Sequence, residues 1–218
     1  MQRIGIDCRF ASSLGGLGTY TREVVLRLLQ LQTDICWILF CEESDPSWLP
    51  KSLQSNVEII HAPFHQYSIA EQCIFPFILS RSKIALLWVP HFNVPLFCPI
   101  PFIATIHDLI LHRYPNGANT FKQSLYKILL RLTVLRSKHI LTVSHATEGE
   151  LLTAFPFIQK KISVVYPGVS TIFRPVSDEQ AANVRQKYAL SASFLLYIGN
   201  TKEHKNVPML LEAYTKAE

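Results

Sequence analysis

The chain has 218 residues, of which 49% are hydrophobic and 17% charged, so it forms a packed core and is not intrinsically disordered. Its 21 basic and 16 acidic residues give a net charge of +5. That excess suits an anionic substrate or a membrane surface, but it does not indicate a nucleic-acid-binding protein. Five dispersed cysteines without C-x-x-C spacing predict reduced cysteines in the core of a cytoplasmic protein, and we expect no secretory signal.

Seven short runs rich in Val, Ile, Leu and Phe predict buried β-strands. They are Ile4–Cys8, Ile35–Cys41, Val57–His61, Ala85–Pro90, Phe102–His107, His139–Ser144 and Ile162–Tyr166. Helices are predicted between them at Thr19–Gln32, Ser68–Ser80, Thr120–Ser137 and His145–Phe155. This alternation predicts an α/β fold with a Rossmann-like, doubly wound parallel sheet. Prolines interrupt the apolar run over 84–106, which we therefore interpret as two strands and a loop instead of a transmembrane helix.

Three glycines, Gly15, Gly16 and Gly18, lie between the first strand and the first helix. They allow the backbone to approach a ligand, and the amino end of the helix that follows, with Thr19 as the predicted N-cap, favours phosphate or another anion. A tight turn without a ligand is the alternative. The dinucleotide pattern G-x-G-x-x-G is not met, because Thr21 stands at the position of the third glycine.

Polar residues follow two further strands of the predicted sheet. His107 and Asp108 end the fifth strand, and Ser144 ends the sixth. Ligands of open α/β sheets bind beyond the carboxyl ends of the strands, so we expect these residues and the glycines to line one edge. A structural histidine is the alternative for His107. His91, His107, Asp108 and His112 do not have the spacing of a metal site, and we predict none.

The sequence changes character after Tyr166, and we predict a first domain over 1–172 and the incomplete start of a second over 173–218. In the second part, Ser177 and Gln180 have the spacing of a capping box, Phe194–Ile198 predicts a buried strand, and Val207–Lys216 predicts a helix. One strand and two helices cannot close a core, so we expect this part to be exposed, mobile or paired with another chain.

Two groups of basic residues are candidates for contact with anions. Lys202 and Lys205 lie in the turn before the last helix, where a solvated turn is the alternative. Lys127, Arg131 and Lys138 share one face of a helix without acidic residues, which could contact anionic lipid head groups or be a solvated surface.

Five segments together resemble the retaining glycosyltransferases of the GT-B fold, in the large group 1 (family four) class. They are Ile6–Arg9 leading into Gly15–Thr21, Thr105–Leu109, Leu141–His145, Val164–Val169, and Leu196–Asn200 through His204-Lys205-Asn206. The resemblance implies transfer of a mannose- or glucose-type sugar from a GDP- or UDP-linked donor to a glycan or lipid-linked acceptor, in bacterial surface polysaccharide synthesis. It implies no cofactor, and a cytoplasmic protein with peripheral contact to the inner membrane face.

The same resemblance implies a role for each candidate residue. His107, with Asp108 beside it, would contact the transferred sugar and stabilise oxocarbenium character. The glycines would approach the donor phosphates or the acceptor, while Lys205 and Asn200 would contact the diphosphate without a metal. Asn200 departs from the family, which commonly has arginine there.

The family's glutamate pair, spaced Glu-x-x-x-x-x-x-x-Glu, has no counterpart in this chain. We therefore expect a truncated chain that lacks most of its donor-binding domain. A non-catalytic remnant or an acceptor-binding module is the alternative to an enzyme. A different doubly wound nucleotide-binding protein is a third possibility, against which the incomplete glycine pattern counts.

Overall fold

The structure, a computed structural model, describes residues 2–31, 34–110, 120–170, 172–191 and 193–217. It divides into two compact units, Met1–Pro167 and Gly168–Glu218. The first unit contains a seven-stranded sheet. Its strands are β1 (Gln2–Asp7), β2 (Ile35–Cys41), β3 (Val57–His61), β4 (Leu86–Val89), β5 (Phe102–Ile106), β6 (His139–Thr142) and β7 (Ile162–Val164).

All neighbouring strands of this sheet are parallel, in the order β3-β2-β1-β4-β5-β6-β7. The order reverses between β1 and β4, as it does in Rossmann-like folds. Because all strands run the same way, the segments that follow β1, β4, β5 and β6 leave from one edge of the sheet. The predicted α/β fold and its seven strands are confirmed, and so are the two strands and the loop over 84–106.

The helices of the first unit are α1 (Gly16–Leu31), α2 (Ile69–Arg81), α3 (Thr120–Arg136) and α4 (His145–Ala154). Alternate residues of the strands face opposite layers, as strand geometry requires. In β2, Ile38 and Phe40 pack with α2, whereas Trp37 and Leu39 pack with α1. A third cluster joins β5 and β6 to α3 and α4. Helices therefore cover both faces of the sheet.

One helix begins at a different residue from the predicted one. The sequence predicts an α1 that begins after an N-cap at Thr19, but the helix begins at Gly16 and Thr19 lies inside its first turn. The Thr19 amide donates to the Gly15 carbonyl oxygen, so the helical hydrogen bonds already start at the glycines. The prediction of Thr19 as the cap is wrong because Gly15, with φ of 114°, makes the turn that the helix needs.

The second unit contains two helices, α5 (Asp178–Lys187) and α6 (Val207–Ala217). The predicted capping box is confirmed, because Ser177 accepts from the Gln180 amide and the Gln180 side chain accepts from the Ser177 amide. The predicted strand over Phe194–Ile198 is wrong. No strand occurs within the described residues of this unit, and Leu195, Leu196 and Ile198 are 76%, 72% and 85% exposed. An apolar run cannot form a buried strand without a sheet that pairs and covers it.

Two further features concern the hydropathy of the helices and the state of the cysteines. Within the described ranges, no helix has the length and hydropathy needed to cross a bilayer. All five cysteines are free thiols; Cys8, Cys41 and Cys98 are buried, whereas Cys73 is exposed and so is not a core residue.

Candidate functional site at the carboxyl edge of the sheet

The glycine-rich turn between β1 and α1 gives each glycine a different setting. A Cβ atom at Gly18 would overlap the Ser13 carbonyl oxygen and lie 3.0 Å from the Phe10 carbonyl oxygen, so glycine is needed there for packing. Gly16 faces open space, and a Cβ atom added there would contact nothing within 4 Å. Arg22 from α1 donates to the carbonyl oxygens of Ala11 and Ser13 and braces the turn. The Gly16 backbone is accessible from solvent.

His107, which directly follows β5, is held on two sides. Its Nε2 lies 2.8 Å from the Pro90 carbonyl oxygen. Since a carbonyl oxygen only accepts, Nε2 carries the proton. Its ring packs edge to face on Tyr20 of α1, with centroids 4.7 Å apart. Desolvation lowers the pKa of His107, so the imidazole is neutral at neutral pH. The contact with Tyr20 places His107 beside the helix that Gly16 begins.

Asp108 and Ser144 lie near His107 but have local hydrogen-bond partners. The exposed Asp108 carboxylate accepts from the Ile110 amide at 3.0 Å. Ser144 is the N-cap of α4 and accepts from the Thr147 amide. Thr147 in turn donates its hydroxyl to the His107 carbonyl oxygen at 3.1 Å. Ser144 thus stabilises α4, and its connection to His107 runs through Thr147.

A buried ion cluster at the same edge was not predicted from the sequence. Arg9 donates to both carboxylate oxygens of Asp7, at 2.8 and 2.7 Å, and lies 2.7 Å from Glu71. The side chains of all three are 0% exposed in these ion pairs. Asn93 donates to both oxygens of Glu71 at 2.9 Å. The Arg9 guanidinium also stacks on Phe75, 4.2 Å from the ring centroid. The Asp-x-Arg spacing at the end of β1 was the one sequence signal for this cluster.

His91 links the ion cluster to the segment that contacts His107. Its Nδ1 accepts from the Asn93 amide at 3.2 Å, and its ring packs on Phe92 and Phe10 with centroids 4.3 and 4.9 Å apart. Desolvation, with a smaller contribution from the nearby His107, lowers the pKa of His91 to about 3. His91 is therefore a neutral, packed histidine, and its Nδ1 is occupied by the Asn93 amide.

Asn200 and Lys205 lie in the second unit, on exposed backbone before α6. The Asn200 side chain accepts from the Lys202 amide at 3.2 Å, and the Asn200 carbonyl oxygen accepts from the Tyr197 hydroxyl at 2.7 Å. Lys205 ends a short 3-10 helix, Glu203–Lys205, and its side chain is exposed. Asn206, with φ of 47°, then turns the chain into α6. The turn presents Lys205 to solvent next to a helix amino end, an arrangement that suits an anion.

The metal candidates of the sequence do not assemble into a site in the described part of the chain. Within it, no group of three or more His, Cys, Asp or Glu side chains is placed to hold a metal ion. His107 and His91 use ring nitrogens in hydrogen bonds to backbone groups. His112, the remaining histidine of that set, lies outside the described residues.

Known proteins resemble this chain in sequence and in fold. Residues 14–173 match the model of Glycosyltransferase Family 4. O-antigen chain mannosyltransferase RfbU of Salmonella typhimurium is 29% identical over 123 residues, which are 56% of this chain and 30% of the relative. O-antigen chain mannosyltransferase B of Escherichia coli is 28% identical over 113 residues, 51% of this chain and 30% of the relative. The aligned part of the chain thus covers less than a third of the length of either relative.

A solved structure shows the same fold over the whole chain. Anabaena Alr3699/HepE, in complex with UDP and glucose, superposes with a TM-score of 0.62 at 15% identity, covering 100% of this chain and 58% of that one. At that identity the likeness concerns the fold, which is the GT-B type. The family match covers most of the chain and includes the glycine turn and His107. The chain belongs to glycosyltransferase family 4.

Proposed function

We propose that this chain is part of a retaining glycosyltransferase that moves a mannose- or glucose-type sugar from a GDP- or UDP-linked donor to a glycan or lipid-linked acceptor. The relatives named above act as O-antigen chain mannosyltransferases, which supports a role in bacterial surface polysaccharide synthesis. The observation that carries the proposal is the fixed, neutral imidazole of His107 beside the helix that begins at Gly16. The first unit supplies the acceptor side of the site.

His107 would act on the transferred sugar. Its Nε2 proton is held by the Pro90 carbonyl oxygen, so Nδ1 is the nitrogen without a proton. A neutral imidazole with a fixed ring offers a lone pair to a sugar hydroxyl or to developing positive charge at the anomeric carbon, and needs no reorganisation as that charge appears. The exposed carboxylate of Asp108 adds negative potential at the same edge. We assign no proton transfer to either residue.

The phosphates of the donor would be bound by backbone amides and by lysine. Gly16 faces open space at the amino end of α1, where helix amides and the helix dipole favour an anion. Within the second unit, Lys205 with Asn200 offers an anion contact of its own before α6. Charge neutralisation of a diphosphate leaving group by lysine and amides requires no metal ion.

Helix α3 offers a surface for a lipid-linked acceptor. Its basic residues Lys127 and Arg131 are exposed, and Ile128 and Leu135 are 53% and 47% exposed. Lys138, which the sequence places on the same helix face, lies beyond the end of α3 at Arg136. The helix contains no acidic residue. A basic face with apolar residues favours the surface of an anionic bilayer, so we propose peripheral contact with the inner membrane face.

The test is donor binding by calorimetry over a panel of GDP- and UDP-sugars, with product followed by mass spectrometry in the presence of a lipid-linked glycan. We expect no turnover by the 218-residue chain alone, because its relatives are much longer and the helices of its second unit have no buried residues. We expect glycan binding that His107→Ala weakens. If the wild-type chain forms product and His107→Ala forms none, the chain is an enzyme by itself, and our expectation that it is inactive alone is wrong. Binding of neither substrate class would disprove the proposed function.

A non-catalytic acceptor-binding module is the second candidate. The exposed apolar residues of the second unit favour it, because none of the residues described in that unit is buried, and an unpacked unit does not supply a rigid donor pocket. If the chain binds the glycan but binds no donor at any donor concentration, this candidate is supported over the enzyme.

A further inference from the structure

Burial of the ion cluster at the end of β1 costs free energy. The cluster places two carboxylates, Asp7 and Glu71, around a single guanidinium, Arg9, with all three side chains fully buried. Removing such charges from water costs several kcal/mol per ion, and apolar residues of similar size are often equally stable in their place. The pKa of Glu71 is raised, mainly by its burial. Stability alone is therefore a poor explanation for the cluster, and its position suggests another one.

Hydrogen bonds and the covalent backbone of segment 90–93 together connect the cluster to His107. Glu71 is bound by Arg9 and, through both of its oxygens, by the side chain of Asn93. The backbone amide of Asn93 donates to His91, which immediately follows Pro90. The Pro90 carbonyl oxygen accepts the proton of His107 Nε2. The segment 90–93 is thus held at one end by buried charges and contacts His107 at the other.

We infer that this cluster positions His107, by fixing segment 90–93 so that the Pro90 carbonyl oxygen selects the Nε2–H tautomer and leaves Nδ1 available to the sugar. The inference rests on the proposed function in so far as His107 contacts the transferred sugar. Arg9, Glu71 and Asn93 are positioning residues and do not touch substrate. The tautomer matters because only the nitrogen without a proton can accept a hydrogen bond or stabilise positive charge.

Nuclear magnetic resonance of the 15N-histidine-labelled full chain tests the inference without any need for turnover. The spectra are recorded above the ordinary histidine pKa of about 6.5, and His107→Gln identifies the signals of His107. We expect the wild type to show a single Nε2–H tautomer at His107. Glu71→Gln and Asn93→Ala should each give a mixture of tautomers and faster exchange of the Nε2 proton.

Glu58→Gln is the matched control, because it makes the same chemical change in the exposed Arg3–Glu58 ion pair, whose atoms are 2.8 Å apart. It should leave the His107 spectrum unchanged. Asn93→Ala keeps both ion pairs of Arg9 and carries the test if Glu71→Gln does not fold. A folded Asn93→Ala or Glu71→Gln protein with a lowered melting temperature and an unchanged His107 tautomer would overturn the inference. A changed tautomer in the variants, together with a wild type that binds neither donor sugar nor glycan, would support the positioning and refute the proposed function instead.

Discussion

The ring of Tyr20 meets the imidazole of His107 edge to face, with centroids 4.7 Å apart and planes at 89°. Tyr20 lies in α1, two residues after Gly18, and its ring also packs edge to face on Trp88, whose indole donates to Thr105 of β5 at 3.0 Å. One aromatic contact therefore ties the helix after the glycine turn to the residue that follows β5. The two motifs are far apart in sequence, and the fold brings them together at one edge of the sheet.

The glycine turn should tolerate substitution at one position and not at another. Gly18→Ala places a Cβ against the Ser13 carbonyl oxygen, which is backbone and cannot move aside cheaply. We expect it to destabilise the chain by at least about 2 kcal/mol. Gly16→Ala adds its Cβ in open space and should change stability by less than about 0.5 kcal/mol. Urea unfolding measures both, and equal losses would contradict the described packing.

His91 should make the chain sensitive to acid. Its folded pKa of about 3 lies below the unfolded value of about 6.5, so the unfolded state binds more protons between these limits. The contribution of neutral His91 to the free energy of unfolding is fully present above about pH 6.5. It declines as the pH falls, by up to about 1.4 kcal/mol per pH unit. The raised pKa of Glu71 changes stability with pH in the opposite direction. The informative quantity is therefore the difference in the free energy of unfolding between the wild type and a His91 variant.

The experiment compares unfolding of His91→Gln and His65→Gln with the wild type across this range of pH. His91→Gln should remove the acid-dependent part of the loss. His65→Gln, which changes a side chain that is 94% exposed, is the control and should leave the acid-dependent loss in place. An identical pH dependence in wild type and His91→Gln would show that His91 is not a buried neutral group in solution.

Much of the fold is predictable from the sequence, because buried parallel strands have a strong pattern. The bounds of β2 and β3 agree with the predicted runs to the residue. The pattern fails for Phe194–Ile198, because local hydrophobicity does not say whether a neighbouring strand exists. It also misses the bond between Glu71 and Arg9, which are distant in sequence and meet only after the sheet has formed. The prediction of Thr19 as the N-cap of α1 fails because the positive φ of Gly15 starts the helix earlier.

The two units should differ in their response to truncation of a leucine. Leu151 of α4 is fully buried, so Leu151→Ala should cost about 2–5 kcal/mol. Leu196 is 72% exposed, and Leu196→Ala should cost less than about 0.5 kcal/mol. Thermal unfolding of a dilute sample measures both, together with amide exchange over 194–198. Slow exchange there in a monomer would mean that this run is in fact paired and covered.

The basic face of α3 should bind anionic vesicles. Each basic residue near an anionic surface contributes about 1 kcal/mol, so the double variant Lys127→Gln with Arg131→Gln should bind roughly thirtyfold more weakly. A second double variant, Lys51→Gln with Lys160→Gln, removes the same charge from exposed positions elsewhere and is the control. Vesicle co-sedimentation at two salt concentrations gives the affinities. Equal losses in both variants, or equal binding to zwitterionic vesicles, would refute a specific face.

The most direct test of a sugar-binding site around His107 is a titration of the 15N-histidine-labelled chain with GDP-mannose, UDP-glucose and a lipid-linked glycan. The chain contains its own control in His139, which begins β6 at the opposite edge of the sheet and lies 2.9 Å from the Ser163 hydroxyl. We predict that the His107 signals shift in a saturable manner with at least one of these ligands, while those of His139 do not move. Unchanged His107 signals at saturation, or equal shifts at both histidines, would contradict a site at the carboxyl edge.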